Sequence, residues 1–270
     1  MISEKAKILI TVKAAPEPSA AYGDTVCVAG VRIDTEKPEW IRLYPIPYRQ
    51  LADPNTFKKF VVVELDINPS RQDPRRESRR PVLESIVPTG EPWSQSARGA
   101  LLEPMVTTTC RLRAGLEDDI NGPSLGIVRP ANVKRLLITP HPGWTASQVR
   151  SIENFSSQPD LLNSDSKLPK LESPRFEARY EYTCEESGCS GHKQRVLDWE
   201  LVAYERRLRN LSDAKARESI DRRFFGMMCS AERRTHFFVG NFADATKRKN
   251  FSVLGMYYPP AGSDYGATLF

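Results

Sequence analysis

The sequence predicts an α+β fold, with a β-rich barrel-like or curled-sheet domain over residues 1–155 and a smaller α+β domain with a zinc-knuckle hairpin over residues 175–270. Three observations carry this. Four β-branched or aromatic runs, bounded by Pro, Gly or Asp, follow one another between residues 7 and 67. Helical spacing of apolar residues dominates after Trp199. Between them, residues 156–174 (SSQPDLLNSDSKLPKLESP) keep no period and read as a linker.

The N-terminal strands are KILITVKA, DTVCVAGVRI, WIRLYPIPY and FVVVELDI. In the third, Ile41, Leu43 and Pro45 alternate with Arg42, Tyr44 and Ile46, so one face is apolar. Pro45 and Pro47 mark an edge or a strand end, because proline cannot donate to a ladder. Short antiparallel strands at this spacing predict a small barrel. Residues 68–81 (NPSRQDPRRESRRP) hold three prolines and five arginines against two acids, and read as a long basic loop. A strand is expected at VLESIV, then a helix across EPWSQSARGALLE with Pro92 near its first turn. LGIVRP and VKRLLITP read as strands, and TASQVRSIENF as a helix capped by Thr145. RFEARYEYT alternates into a Cys/His turn and KQRVLDWE leaves it. Two helices follow, WELVAYERRLRNL and SDAKARESIDRRFFGMM, the second capped by Ser212 or Asp213. A hairpin of THFFVGNF and FSVLGMYYPP carries the basic tip ADATKRKN. No internal repeat is present.

Composition bounds the class. Hydrophobic residues make up 40% and charged residues 27%, as in soluble globular chains. No apolar run approaches the ~18 residues that span a bilayer. The first run, ILITV, is shorter than the ~7–15 residues of a secretory core. The five cysteines are odd in number and thinly spread, unlike a disulfide scaffold, and a cytoplasmic protein is expected. The net charge of +5 points to a polyanion only where the positive residues cluster.

The chemistry-bearing motif is Cys184-x4-Cys189-x2-His192. Thiolates and imidazoles are preferred zinc ligands, and Glu186, Ser187, Gly188 and Gly191 suit a turn that folds round an ion. A closed site needs a fourth ligand. Cys229, His236, His141 and Cys110 are available, and Cys229 is the first choice because it lies within the same C-terminal domain. Alternatively Cys229 is a small buried hydrophobe. With a water in the fourth position the site would be catalytic, with Asp198 or Glu200 as general base. Against that, Asp198 lies six residues beyond His192, roughly 20 Å along a straight strand, and is well placed to cap the next helix.

Arg71, Arg75, Arg76, Arg79 and Arg80 form the densest positive segment, and Lys247, Arg248 and Lys249 a second. Arginine forks match phosphate oxygens, although charge runs are also ordinary solvated surface. Aromatics near such groups, Tyr44 and Phe242 among them, offer faces on which bases stack. No phosphate-binding glycine loop, dinucleotide fingerprint, zincin motif or nucleophile elbow occurs. The residues therefore predict a nucleic-acid-binding protein, DNA or RNA, with a structural zinc ion. A zinc hydrolase of nucleic acid or a nucleobase is the alternative, and a protein-interaction subunit the third.

Overall fold

The computed structural model describes residues 3–18, 25–48, 51, 55–156 and 171–263. Most of the expected linker, residues 157–170, lies outside the described residues. The fold is α+β, with a closed barrel-like sheet at the N-terminal end and a mixed α+β region after it.

The barrel is built from β1 (Glu4–Lys13), β2 (Val26–Arg32), β3 (Glu39–Ile46), β4 (Val62–Pro69) and β5 (Ser78–Pro81). The strands run in the order β1-β2-β3-β5-β4, and β4 returns to pair with β1. All pairs are antiparallel except β3 with β5. A short strand, β6 (Val87–Thr89), adds to β4. The barrel interior is filled by Ile8, Ile10, Val28, Ile41, Leu43 and Val63, drawn from alternate positions of each strand. On β1 a register shift between Ile10 and Val12 turns Val12 to the outer face alongside Leu9.

Two sequence expectations change here. The basic segment 68–81 is not all loop: its last four residues form β5, the strand that closes the barrel. VLESIV is a 3-10 turn over Leu83–Ser85 followed by β6, rather than one strand.

After the barrel come α1 (Gln95–Leu102), β7 (Val106–Thr107), α2 (Thr109–Asp118), β8 (Leu125–Val128), β9 (Asn132–Pro140) and α3 (Ala146–Ser156). Then follow β10 (Phe176–Thr183), β11 (His192–Arg195), α4 (Trp199–Arg207), α5 (Asp213–Asp221), β12 (His236–Asn241) and β13 (Phe251–Tyr257). One sheet has the order β13-β12-β8-β7 and another β11-β10-β9. Thus β8 and β9, from before residue 155, pair with strands from after residue 175. No helix among the described residues is long and apolar enough to cross a membrane.

The outer face of the barrel packs on the four-stranded sheet. Leu9, Val31, Phe60 and Val62 meet Ile127, Phe238 and Leu254 in one buried cluster. Beside this apolar seam lies a polar one. Arg42, only 3% exposed, donates from Nη2 to the carbonyl and hydroxyl oxygens of Ser124 at 3.0 and 3.1 Å. Glu77 accepts from the Ser124 amide at 2.9 Å and its hydroxyl at 2.8 Å. Arg75 donates to Asp73 at 2.8 Å and to the Asn241 carbonyl at 2.5 Å.

Removing Glu77 leaves two buried donors unpaired and tips the local charge positive. We expect Glu77→Ala to destabilise the fold by about 3–5 kcal/mol and Glu77→Gln by less, as when one member of a buried charged network is deleted. Urea unfolding midpoints measure this, and an unchanged midpoint for Glu77→Ala would show that the seam contributes nothing.

Candidate metal centre

Strand β10 alternates cleanly. Phe176, Ala178, Tyr180 and Tyr182 are buried while the residues between them are half-buried, and the same alternation carries Cys184 inward. The chain then turns. The Cys189 amide donates to the Glu186 carbonyl at 3.0 Å, and the Cys184 amide donates to Cys189 Sγ at 3.2 Å. Gly191 has φ +98°, which L side chains rarely adopt, and this lets the chain enter β11, where His192 pairs with Tyr182.

The fourth member comes from α2. Thr108 caps this helix by accepting from the Arg111 amide at 3.1 Å, which places Cys110 in the first turn. His192 Nε2 lies 3.4 Å from Cys110 Sγ, 3.3 Å from Cys184 Sγ and 3.4 Å from Cys189 Sγ. All four ligand atoms fall within 4.8 Å of one another, with Cys184 buried and the others half-buried. Three cysteines and a histidine at these separations form a cluster able to chelate a metal ion. It is not a self-contained knuckle hairpin: the turn supplies three groups and a helix distant in sequence supplies the fourth.

Surrounding bonds hold α2 against the turn. Tyr182 donates its hydroxyl hydrogen to Gln194 at 2.8 Å and lies 2.6 Å from the Thr109 hydroxyl. Thr108 donates to Glu186 at 3.2 Å, and Arg111 pairs with the same carboxylate at 2.7 Å. Burial lowers the His192 pKa, with Arg113 adding to the effect, so the ring is neutral and able to coordinate near pH 7. Burial pushes the Cys110 thiol up to about 12 and raises Cys184. Burial also acts on Cys189, but hydrogen bonds from the backbone of Cys184 and Gly191 outweigh it and bring that thiol below its ordinary value. A cation reverses the burial effect by favouring thiolate, so metal uptake releases protons.

The fourth member of the cluster is thus Cys110 and not Cys229. Cys229 Sγ donates to the Phe224 carbonyl at 3.5 Å, and burial raises its pKa to about 12. His236 is buried, 3.6 Å from Glu103, with its ring beside Tyr257. His141 accepts from the Gly143 amide at 3.0 Å and packs edge-on to Trp144. Helix α2 is absent from the sequence expectations, although a signal for it exists. Thr108 as cap, with Leu112 and Leu116 one turn apart, marks a capped amphipathic helix with a cysteine in its first turn.

Asp198 caps α4, accepting from the Glu200 amide at 2.8 Å, and its backbone bridges to Ala14. Glu200 is exposed and 3.8 Å from Lys59 Nζ. Neither belongs to the cluster.

The basic residues divide. Arg75 is 8% exposed and engaged with Asp73 and Asn241; Arg248 is 4% exposed and donates to Ile120, Asn121 and Ala243. A guanidinium enclosed in this way supports the fold. Arg71, Arg76 and Arg80 are exposed, and Arg79 is half-buried with bonds to the Arg76 and Ser78 carbonyls. Lys247 pairs with Asp244 at 3.9 Å and Lys249 with Glu117 at 3.3 Å, both at the surface.

Residues 105–270 match the domain of unknown function DUF8757. The chain belongs to this family. All four cluster residues fall within the DUF8757 stretch, while residues 4–104, with the barrel, match the domain of unknown function DUF8758. No curated protein matches the chain.

Cys110→Ser is expected to abolish stoichiometric metal binding and lower the unfolding midpoint, while Cys229→Ser keeps the metal. Elemental analysis of the purified variants decides this, and retention by Cys110→Ser would remove α2 from the site.

A pH dependence follows at Asp198. Burial pushes its pKa up to about 7, opposed by Lys59. The folded state therefore holds a proton that the unfolded state has released, and the associated stability is present at low pH and lost as pH rises through the folded value. An asparagine in its place would keep the capping oxygen without ionising. Relative to wild type, Asp198→Asn should gain stability between about pH 4 and about pH 7. Urea unfolding at both pH values tests this, and a difference that does not vary with pH would refute it.

Proposed function

We propose that this chain is a nucleic-acid-binding protein whose Cys110, Cys184, Cys189 and His192 hold a structural zinc ion. The donor set suits zinc, whose tetrahedron has S–N and S–S edges of about 3.5–3.8 Å, and the S–N separations of 3.3–3.4 Å lie close to that. Four protein donors leave no position for an activated water, and the two carboxylates considered as bases are engaged elsewhere. Both points favour a binder over a zinc hydrolase. Reduced thiolates fit the cytoplasmic setting expected from the cysteine usage.

The observation that carries the nucleic-acid reading is convergence. Arg71 and Arg80 lie at separate points of the basic segment, yet both line one cleft together with the rings of Tyr44 and Phe242. Cations beside aromatic faces are what a single-stranded or flipped nucleotide requires.

Replacing Arg71, Arg76, Arg79 and Arg80 with alanine should weaken binding to unrelated oligonucleotides alike. The log–log salt slope should flatten by about one for each phosphate no longer neutralised. Arg75→Ala should instead unfold the protein more easily. A salt series by fluorescence anisotropy gives the slope, and an unchanged slope in the quadruple variant would make these arginines ordinary surface.

A further inference from the structure

The cleft has a volume of about 950 Å³, ample for a mononucleotide, and opens between the barrel and the four-stranded sheet. Its lining includes two carboxylates, Asp73 and Glu17, each already paired with an arginine, and beside them three kinds of group that a ligand could use. Arg71 and Arg80 are exposed, and among the described residues the Arg80 guanidinium has no hydrogen-bond or ion-pair partner. Tyr44 and Phe242 contribute half-buried rings. Asn241 closes β12 and is 5% exposed.

Asn241 is the unusual member. Its backbone is held on both sides: the amide donates to the Ser124 carbonyl at 3.0 Å, and its own carbonyl accepts from Arg75 at 2.5 Å. Its side-chain Nδ2 and Oδ1 are both buried, and neither has a hydrogen-bond partner among the described residues. An unpaired buried carboxamide costs about 1–3 kcal/mol for each unsatisfied group, so a fixed backbone bearing two of them stands out in a folded protein. A carboxamide offers one donor and one acceptor side by side. The adenine edge that carries N6 and N7 presents the complementary pair, and asparagine reads it with two hydrogen bonds.

We propose that this cleft binds a nucleotide, with Asn241 reading the donor–acceptor edge of an adenine base, the Tyr44 and Phe242 rings flanking the base, and Arg80 and Arg71 taking its phosphate. The proposal rests on the nucleic-acid reading above and narrows it to one recognised base. The nucleotide is either free or a unit of a single strand, since both present the same base and phosphate. No bond is made or broken in this step.

The test uses the full chain and three probes: adenosine monophosphate, an oligo-dA single strand, and a strand of the same length carrying abasic sites. Wild type should bind oligo-dA more tightly than the abasic strand. Asn241→Asp replaces the amide donor with an acceptor in nearly the same volume. It should lower oligo-dA affinity by about 10-fold or more beyond its effect on the abasic strand, the scale of one bidentate base contact, the abasic strand registering only the added negative charge. Arg80→Ala should weaken both strands together. Binding of adenosine monophosphate with the same Asn241 dependence, and no added affinity for the strand, identifies the free nucleotide as the ligand. Equal affinity of wild type for oligo-dA and abasic strands would overturn base reading while leaving nucleic-acid binding in place. No binding of any probe would overturn both. Thermal unfolding of Asn241→Asp accompanies the titrations. If that variant does not fold, Asn241→Ser must reproduce the selective loss, and a uniform loss across the strands would overturn the assignment.

Discussion

The structure turns on Ser124 and the two charged side chains that grip it. Arg42 from the barrel donates to its carbonyl and hydroxyl oxygens, and Glu77 from the approach to β5 accepts from its amide and hydroxyl groups. A buried guanidinium or carboxylate is tolerated only with partners, so the barrel and the four-stranded sheet are obliged to meet in one register. The apolar seam around Leu9, Phe238 and Leu254 supplies non-directional attraction, and the polar seam supplies the alignment. Because Asn241 donates its amide to the same serine, the floor of the cleft is set by the contact that joins the two sheets.

The metal cluster bears on the same sheet from a different direction in the chain. It ties α2, through Cys110, to the β10–β11 turn, and α2 leads directly into β8. β8 pairs with β12, the strand that ends in Asn241. A cation held by these four groups would close a long loop in the chain and tie α2 to the turn, as the proposed structural zinc ion requires. The two features lie apart in the fold: the sulfur and imidazole groups cluster where α2 meets the β10–β11 turn, while exposed cations and aromatic rings line the cleft.

Helix α4 adds a third connection. Asp198 caps it and bridges to Ala14, while Trp199 packs its ring 5.9 Å from that of Tyr48 on the barrel. The triplet after the Cys/His motif thus docks a helix on the barrel. Burial holds the Asp198 carboxyl well above the ordinary carboxylate range, because a low-dielectric setting disfavours the charged form.

Much of this was legible in the residues alone. Alternation along Phe176–Thr183 marked that strand, because a half-buried strand must repeat every second residue. The run from Ile41 to Ile46 located β3 without its faces: Ile41, Arg42 and Leu43 are all buried, and Ile46 joins Ile41 and Leu43 in the barrel interior. The spacing of Cys184, Cys189 and His192 marked the turn, because three ligands on one short turn are local in sequence. Asp198 before an apolar helical run marked its cap. Only the tertiary structure decided the rest, since each remaining choice joins residues far apart in the chain. Cys110 and Cys229 are both plausible fourth ligands in sequence, and packing alone brings α2 to the turn and leaves Cys229 against Phe224. Arg75 and Arg80 sit in one basic run, yet one is enclosed by Asp73 and Asn241 and the other lies exposed at the cleft. Local pattern records what a residue is able to do, and burial among distant partners determines which of those things it does.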